Sequence, residues 1–494
     1  MRINSHLNQK SLIILILLNI LISRNSVAQI TGSLFMLPDN FYAQMYNPSY
    51  MRTDDAVAFS VAGVGGFSFI NQGNFKISDL ITTTSSGNPV IDFENFYNNI
   101  KTDNFFRQDF SLPMAFFSIP VKEGIFSFYY KENFSSVLKF KKDIFEFLII
   151  GNYAPDYRYF NSDNIELLTI GYREFAFGYS KNLNKKIDVG ARAKLLFGAA
   201  LVDANNWNYG IGTTGNGDIV SLNSRGSGQL MLPVPVIVRS DSTLYSVEKE
   251  KAATRYLTAY QNPGIAIDLG VTFYINESST FSAAIRDLGG IWYRHNTNNM
   301  YQDVNDNFEG FDLISAVRYP EEQGYTDPAE LVALAKDNIR LVYHPVLVET
   351  GFIFKLPLKT VFHYQYLYSN KHSFGITNQS AFQRNNFQNI LTLSAMQSRA
   401  NLSVFENLNL HGASDISLGG GIQYEGNFIH AFLATDNVIA FYHPAANKTF
   451  SITAGICLLL NHKKDAKSSS MKERKGKTLP ELPFYKRYGK IPNH

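Results

Sequence analysis

The 494-residue chain offers few residue groups that could do chemistry, and each has a plainer reading beside it. Gly210-Ile211-Gly212-Thr213-Thr214-Gly215 has the spacing of a loop whose glycines let backbone N–H groups cradle a pyrophosphate. That chemistry needs a strand before the loop and a helix after it, and no such context flanks the stretch. Residues 210–215 are therefore expected to belong to a loop over 200–232, with Asn216-Gly217 as a turn signal. The ten histidines include no HExxH and no paired spacing on one element, so no metal site is assigned. Asp287 beside Arg286 could be a catalytic carboxylate, although an ion pair is the commoner use of two such neighbours. Cys457 is the one cysteine, which excludes an intramolecular disulfide. It reads as a small filler of an interior face and not as a nucleophile. The chain is not read as an enzyme, and no catalytic, cofactor-binding or metal-binding residue is assigned.

Any functional side chain in this sequence must be positioned by strands. Period-2 alternation recurs along the body of the chain, and 3.6-residue periodicity is nearly absent. Gly264–Ile275 is the clearest run. Ile265, Ile267, Leu269, Val271, Phe273 and Ile275 share one face, and Ala266, Asp268, Gly270, Thr272 and Tyr274 share the other. The stretches 186–197, 346–356 and 360–368 repeat the pattern, and 448–460 reads as a closing strand.

The two faces decide the fold class. The polar face carries Gly, Ser, Thr and Asn with a few charges of mixed sign, not the Lys and Glu of a solvated sheet. That suits a lumen, in which Asp188, Arg192, Lys194, Asp268, Arg286, Glu349 and Lys355 are expected to pair across the interior. The apolar face draws on 39 Phe and 28 Tyr, which suits lipid with aromatic girdles. A chain that satisfies its backbone in lipid without helices does so as a closed barrel. The expected fold is all-β: a transmembrane outer-membrane β-barrel of about 14 antiparallel strands. The candidate strands include 124–131, 134–142, 346–356 and 359–369.

The ends differ from the body. Arg2 and Lys10 precede the apolar run 11–22, and Ser26-Val27-Ala28 follows it, as in a secretory signal peptide over 1–28. The expected domains are then a plug segment over 29–55, a barrel over 56–460 and a basic tail over 461–494. The tail holds ten Lys+Arg against three Asp+Glu, net +7, while the body is mildly acidic. Export disfavours a nucleic-acid partner for it. Residues 72–108 read as a loop and 292–345 as the longest insertion. Within that insertion Asp327-Pro328 starts an expected helix over 328–338. Counting strands back from the closing one puts the insertion on the same side as the tail.

Three stretches carry a resemblance. Asn47-Pro48-Ser49, after a short exported segment, resembles the Asn-Pro-Ala element of FadL-type fatty-acid transporters, with Ser49 in place of the alanine. Gly264–Gly290 resembles a strand-turn-strand signature of a family of uncharacterised outer-membrane barrels. That family carries only a domain-of-unknown-function label and occurs in bacteria that use type IX secretion. Thr435-Asp436-Asn437 is also similar to it. The resemblance spans most of residues 30–460 and implies that the N-terminal segment, here Gln29–Arg52, plugs the lumen. Phe35, Met36, Leu37, Phe41, Tyr42, Met45 and Tyr46, with Asn47 and Pro48, are then the expected plug residues and the candidate lining of a ligand pocket.

Two functions follow from this resemblance. One is a passive channel for a small hydrophobic solute in the outer membrane of a gram-negative bacterium. The other is a non-transporting accessory barrel of a surface or type IX secretion complex. The expected partners are outer-membrane lipid and, at the 461–494 tail, a periplasmic or surface protein. No cofactor and no nucleic acid are expected.

Overall fold

The computed structural model describes residues 32–37, 40–51, 56–61, 65–83, 89–143, 145, 158–214, 219–238, 244–246, 249–309, 346–383, 386–411 and 415–460. The expected signal peptide, the helix at 328–338 and the tail lie outside the described residues.

Nineteen strand segments make one antiparallel sheet. The first ten are β1 Val57–Val61, β2 Phe67–Gly73, β3 Asp103–Val121, β4 Gly124–Lys141, β5 Arg158–Asn184, β6 Ile187–Thr214, β7 Ile219–Met231, β8 Pro263–Tyr274, β9 Ser279–Tyr293 and β10 Thr297–Glu309. The rest are β11 Val346–Glu349, β12 Phe352–Lys355, β13 Leu358–Leu367, β14 His372–Gln383, β15 Asn386–Arg399, β16 Leu402–His411, β17 Asp415–Glu425, β18 Ile429–Thr435 and β19 Thr449–Leu460. Both β1 and β2 lie between β3 and β19, so the first and last strands pair and the sheet closes on itself. Closure removes every unpaired edge. The expected strand number is only roughly matched, because several segments are collinear pieces of longer strands. β7 and β8 pair in succession with the two halves of β6, and β11, β12 and β13 run in line beside β10 and β9.

Alternation sets inside from outside. On β8, Ile265 is 54% exposed and Ile267 49%, while Ala266, Asp268 and Thr272 are buried. The outer surface is an apolar belt of this kind all round, with Tyr368, Tyr424 and Phe428 exposed near one end. Among the described residues no helix is long and apolar enough to cross a membrane, which says nothing of strands.

The interior is filled by the chain's own N-terminal segment. A 3₁₀ turn over Gly32–Met36 leads to a short helix, Phe41–Gln44. Asn40 caps that helix, its Oδ1 accepting from the Tyr42 N–H at 2.7 Å. Residues 34–37 and 40–50 are buried throughout. Phe41 packs on Phe116 and Tyr42 on Phe432, with ring centroids 5.2 and 5.3 Å apart.

Several expectations need correction. Residues 200–232 are not a loop: β6 continues to Thr214 and β7 follows, so Gly210–Thr214 is strand. The stretch 72–108 holds a small hairpin, Ile81–Thr83 with Pro89–Ile91, then a helix, Phe93–Asn99, and the start of β3. β10 carries regular structure into the expected insertion as far as Glu309. Residues 124–131 and 134–142, expected as two strands, are the single strand β4. Residues 346–356 and 359–369 are likewise collinear, not two strands with a reversal between them. That removes one turn from the strand count. Val57 pairs with Leu460, and the short turns at 122–123, 368–371 and 400–401 share that end of the barrel. Glu309, the last described residue before 310–345, pairs with Ile219 beside Thr214 at the opposite end, not at the end where Leu460 lies.

Candidate functional site

The site is the interface between the plug and the inner wall of β5, β6, β8 and β9. Gly190 on β6 and Gly270 on β8 are register partners. A Cβ on Gly190 would overlap the carbonyl of Pro48, and one on Gly270 would overlap Oδ1 of Asn47. The missing side chains leave a notch that receives the Asn47-Pro48-Ser49 turn. Asn47 Oδ1 accepts from the Ser49 N–H at 3.0 Å and the Ser49 hydroxyl at 2.8 Å. Ser49 Oγ lies 2.8 Å from Thr272 Oγ1, and Ser180 donates to the Pro48 carbonyl at 2.6 Å. Tyr50 OH lies 2.9 Å from Ser282 Oγ. Burial raises the phenol pKa values of Tyr42, Tyr46 and Tyr50, so all three stay neutral.

Charged wall residues complete the grip. The last carbonyls of the plug helix have no intrahelical partner. Arg192 Nη2 donates to the Gln44 carbonyl at 2.6 Å and Nη1 to that of Met45 at 3.0 Å. The Arg286 guanidinium lies 4.5 Å from the centre of the Tyr46 ring.

Behind these contacts is a buried ionic lattice centred on Lys194. Its Nζ lies 2.6 Å from Asp287, 2.8 Å from Asp268 and 3.0 Å from Glu174. Arg192 pairs with Asp268 at 3.2 Å, Lys359 with Asp287 at 3.0 Å and Lys131 with Glu174 at 3.5 Å. Each carboxylate thus meets at least two cations, the arrangement that makes burial of charge tolerable. Asp287 reaches it through a left-handed backbone, φ 63°, beside a register shift at Asp268. Its N–H donates to Asp268 Oδ1 at 2.9 Å.

The structure gathers five of the seven expected lumen charges on this inner wall. Arg192, Lys194, Asp268 and Arg286 belong to the lattice and the plug contacts. Asp188 stands at its edge, accepting from Tyr274 OH at 2.6 Å and Asn182 Nδ2 at 2.7 Å. Glu349 and Lys355 do not join them; both are exposed. For Lys355 the cause is the left-handed Asp287. Before it, Ser282, Ala284 and Arg286 point inward; after it, Ile291 and Tyr293 do. The partner β12 follows the change, so Phe354 is buried and Lys355 is not. Sequence reasoning missed Glu174 and Lys131 as members of the lattice. Both lie on inward positions of strands that alternate, and that alternation was the available signal.

The plug residues Phe35, Phe41, Tyr42, Met45, Tyr46, Asn47 and Pro48 sit against the wall. One small cavity beside Phe35, of about 10 Å³, is lined by Ser49, Tyr50, Thr272, Ser282 and His363, room for about one water. A second apolar contact runs to the barrel exterior. Leu37 clusters with Phe405 and Ala434. Phe405 and Ala434 also line an outer groove of about 340 Å³, with Gly419, Gly420, Gly421, Leu433 and Val438. A neighbouring groove of about 540 Å³ is lined by Phe374, Leu393, Leu408 and Leu418, and shares Glu406, Gly419 and Val438 with the first.

A family model described as Family of unknown function (DUF5723) matches residues 51–436. No curated protein matches the chain. Among solved structures the chain is similar to the toluene transporter TbuX of Ralstonia pickettii, at 11% identity over 85% of this chain and 93% of that one, TM-score 0.35. It is similar to the toluene transporter TodX of P. putida, at 7% identity over 85% and 92%, TM-score 0.37. A FadL homologue of Pseudomonas aeruginosa matches at 9% identity over 89% and 100%, TM-score 0.38.

Proposed function

We propose that this chain, which belongs to the DUF5723 family, is an outer-membrane barrel that passes a small hydrophobic solute between its plugged lumen and the surrounding lipid. A closed antiparallel wall with an apolar exterior satisfies its backbone in hydrocarbon and offers lipid no edge. The short turns and both ends of the wall then face the periplasm.

One observation carries the transport reading. Leu37 of the plug clusters with Phe405 and Ala434, and those two residues also line the outer groove. Gly419 and Gly421 put no side chain in the way. A solute that displaces Leu37 from Phe405 would travel from plug to lipid along mainly apolar surface, with little polar surface to desolvate. The lattice under Arg192 and Lys194 holds the other end of the plug, so a small shift at Leu37 need not eject the whole segment.

The test is uptake of toluene by cells with a lipopolysaccharide outer leaflet, with and without this protein. Expression should raise the uptake rate, and Leu37→Trp should return it to the background. Uptake that ignores both expression and Leu37 would refute the reading.

A further inference from the structure

We propose that the lipid-facing wall over β16 and β17 is a binding site for an apolar molecule bearing an amine, with Glu406 as its anionic anchor. The site rests on the channel reading for its place at the solute's exit, but not for its chemistry.

Glu406 is exposed and stands on the outer face of β16, in the row Leu402, Val404, Glu406, Leu408, Leu410. It occupies the middle of that row, with two apolar residues on either side along the strand. Its register partners are Ala395 on β15 and Gly420 on β17. No ion pair or hydrogen bond is formed by Glu406 among the described residues. A carboxylate facing hydrocarbon without a partner is costly, and ionisable groups at such depth mark functional positions by default.

The surroundings are shaped as a receptor. Both outer grooves, of about 340 and 540 Å³, converge on Glu406, Gly419 and Val438. Gly420 leaves this part of the wall bare: a Cβ there would meet the Phe405 carbonyl at 2.9 Å and lie 3.9 Å from the Val438 side chain. The pairing is thus a single negative group amid apolar surface, which complements a single positive group on an apolar body. An amine supplies the charge and up to three hydrogen-bond donors for the carboxylate.

A second copy of this chain is a poorer occupant. The groove residues include no cation, and a two-fold contact here would set Glu406 against its own copy. An aminolipid headgroup fits poorly as well, because headgroups lie at the interface and Glu406 lies midway along the apolar row.

The full-length barrel in phosphatidylcholine nanodiscs provides the test, with partition into empty discs subtracted. The probes are n-decylamine, n-decanol and decanoate. Decylamine should bind about tenfold tighter than decanol, the least a charge-assisted hydrogen bond would give, and decanoate should bind weakest. Glu406→Gln should erase the amine preference and keep decanol binding. Val438→Trp should weaken both by filling the space that the two grooves share. Glu406→Leu serves as a second variant, and heat-modifiable mobility on gels certifies folding of each. Equal binding of decylamine and decanol by the wild type, or a preference that survives in both Glu406 variants, overturns the proposal. Toluene, which has no amine, separates the two readings. Toluene uptake without amine preference defeats the anchor alone. Amine preference without toluene uptake defeats the channel alone.

Discussion

Gly190 and Gly270 face each other across the β6–β8 pairing, and the notch they leave is the seat of Asn47 and Pro48. The wall is therefore built for this plug, since any side chain at either position would meet plug atoms directly. Because a backbone carbonyl is what a Gly190 side chain would strike, the plug cannot yield by a rotamer change.

Gly190→Val should leave the barrel assembled and displace the plug. Overpacking of this kind costs about 1–3 kcal/mol. In a Cys457→Ser background, a cysteine placed by Tyr46→Cys should be protected from maleimide with Gly190 present and labelled rapidly with Val there. Equal labelling in both would mean the turn is held by other contacts.

Ile267→Arg should block assembly, since Ile267 faces outward and an arginine near the bilayer midplane costs about 2–4 kcal/mol. Thr272→Arg should spare the barrel and disturb the plug, because Thr272 is buried against Ser49. Gel mobility before and after boiling reads assembly, and maleimide access reads the plug. Loss of assembly in both variants would count against the inside-outside assignment.

Lys194→Met should lower the urea concentration at which the barrel unfolds. It leaves Glu174, Asp268 and Asp287 facing one another with fewer cations, and breaking a buried ionic cluster costs about 3–5 kcal/mol. An unchanged midpoint would show that Lys131, Arg192 and Lys359 neutralise the carboxylates unaided.

The strands were legible where the two faces differ sharply. On β8 an Ile-rich face opposes Ala, Asp, Gly and Thr, and the register follows directly. The plug was legible through its resemblance and not through any periodicity, because a buried segment of 3₁₀ turn and short helix has none to show. The switch of face at Asp287 was not legible. Asp287 is of a type that tolerates a left-handed backbone, but most aspartates do not adopt one, and this single residue sends Lys355 outward and Phe354 inward. The extension of β6 beyond Phe197 was hidden for another reason: Asn, Gly and Thr dominate 205–214, as they would a loop.

Removing residues 463–494 should leave the barrel folded. β19 ends at Leu460 with its pairing to β1 complete. We propose that the basic tail docks a periplasmic or surface partner, so co-purification from native membranes with and without it should differ by that partner. A truncated chain that fails to become heat-modifiable would place the tail in assembly instead.

Passage between the plug and the outer groove would show as toluene uptake by expressing cells. Wild-type protein should raise the rate above that of cells lacking it, and Leu37→Trp should abolish the gain while the barrel stays heat-modifiable. Uptake equal to that of non-expressing cells, with the wild-type barrel folded in the membrane, would mean that the protein passes no such solute.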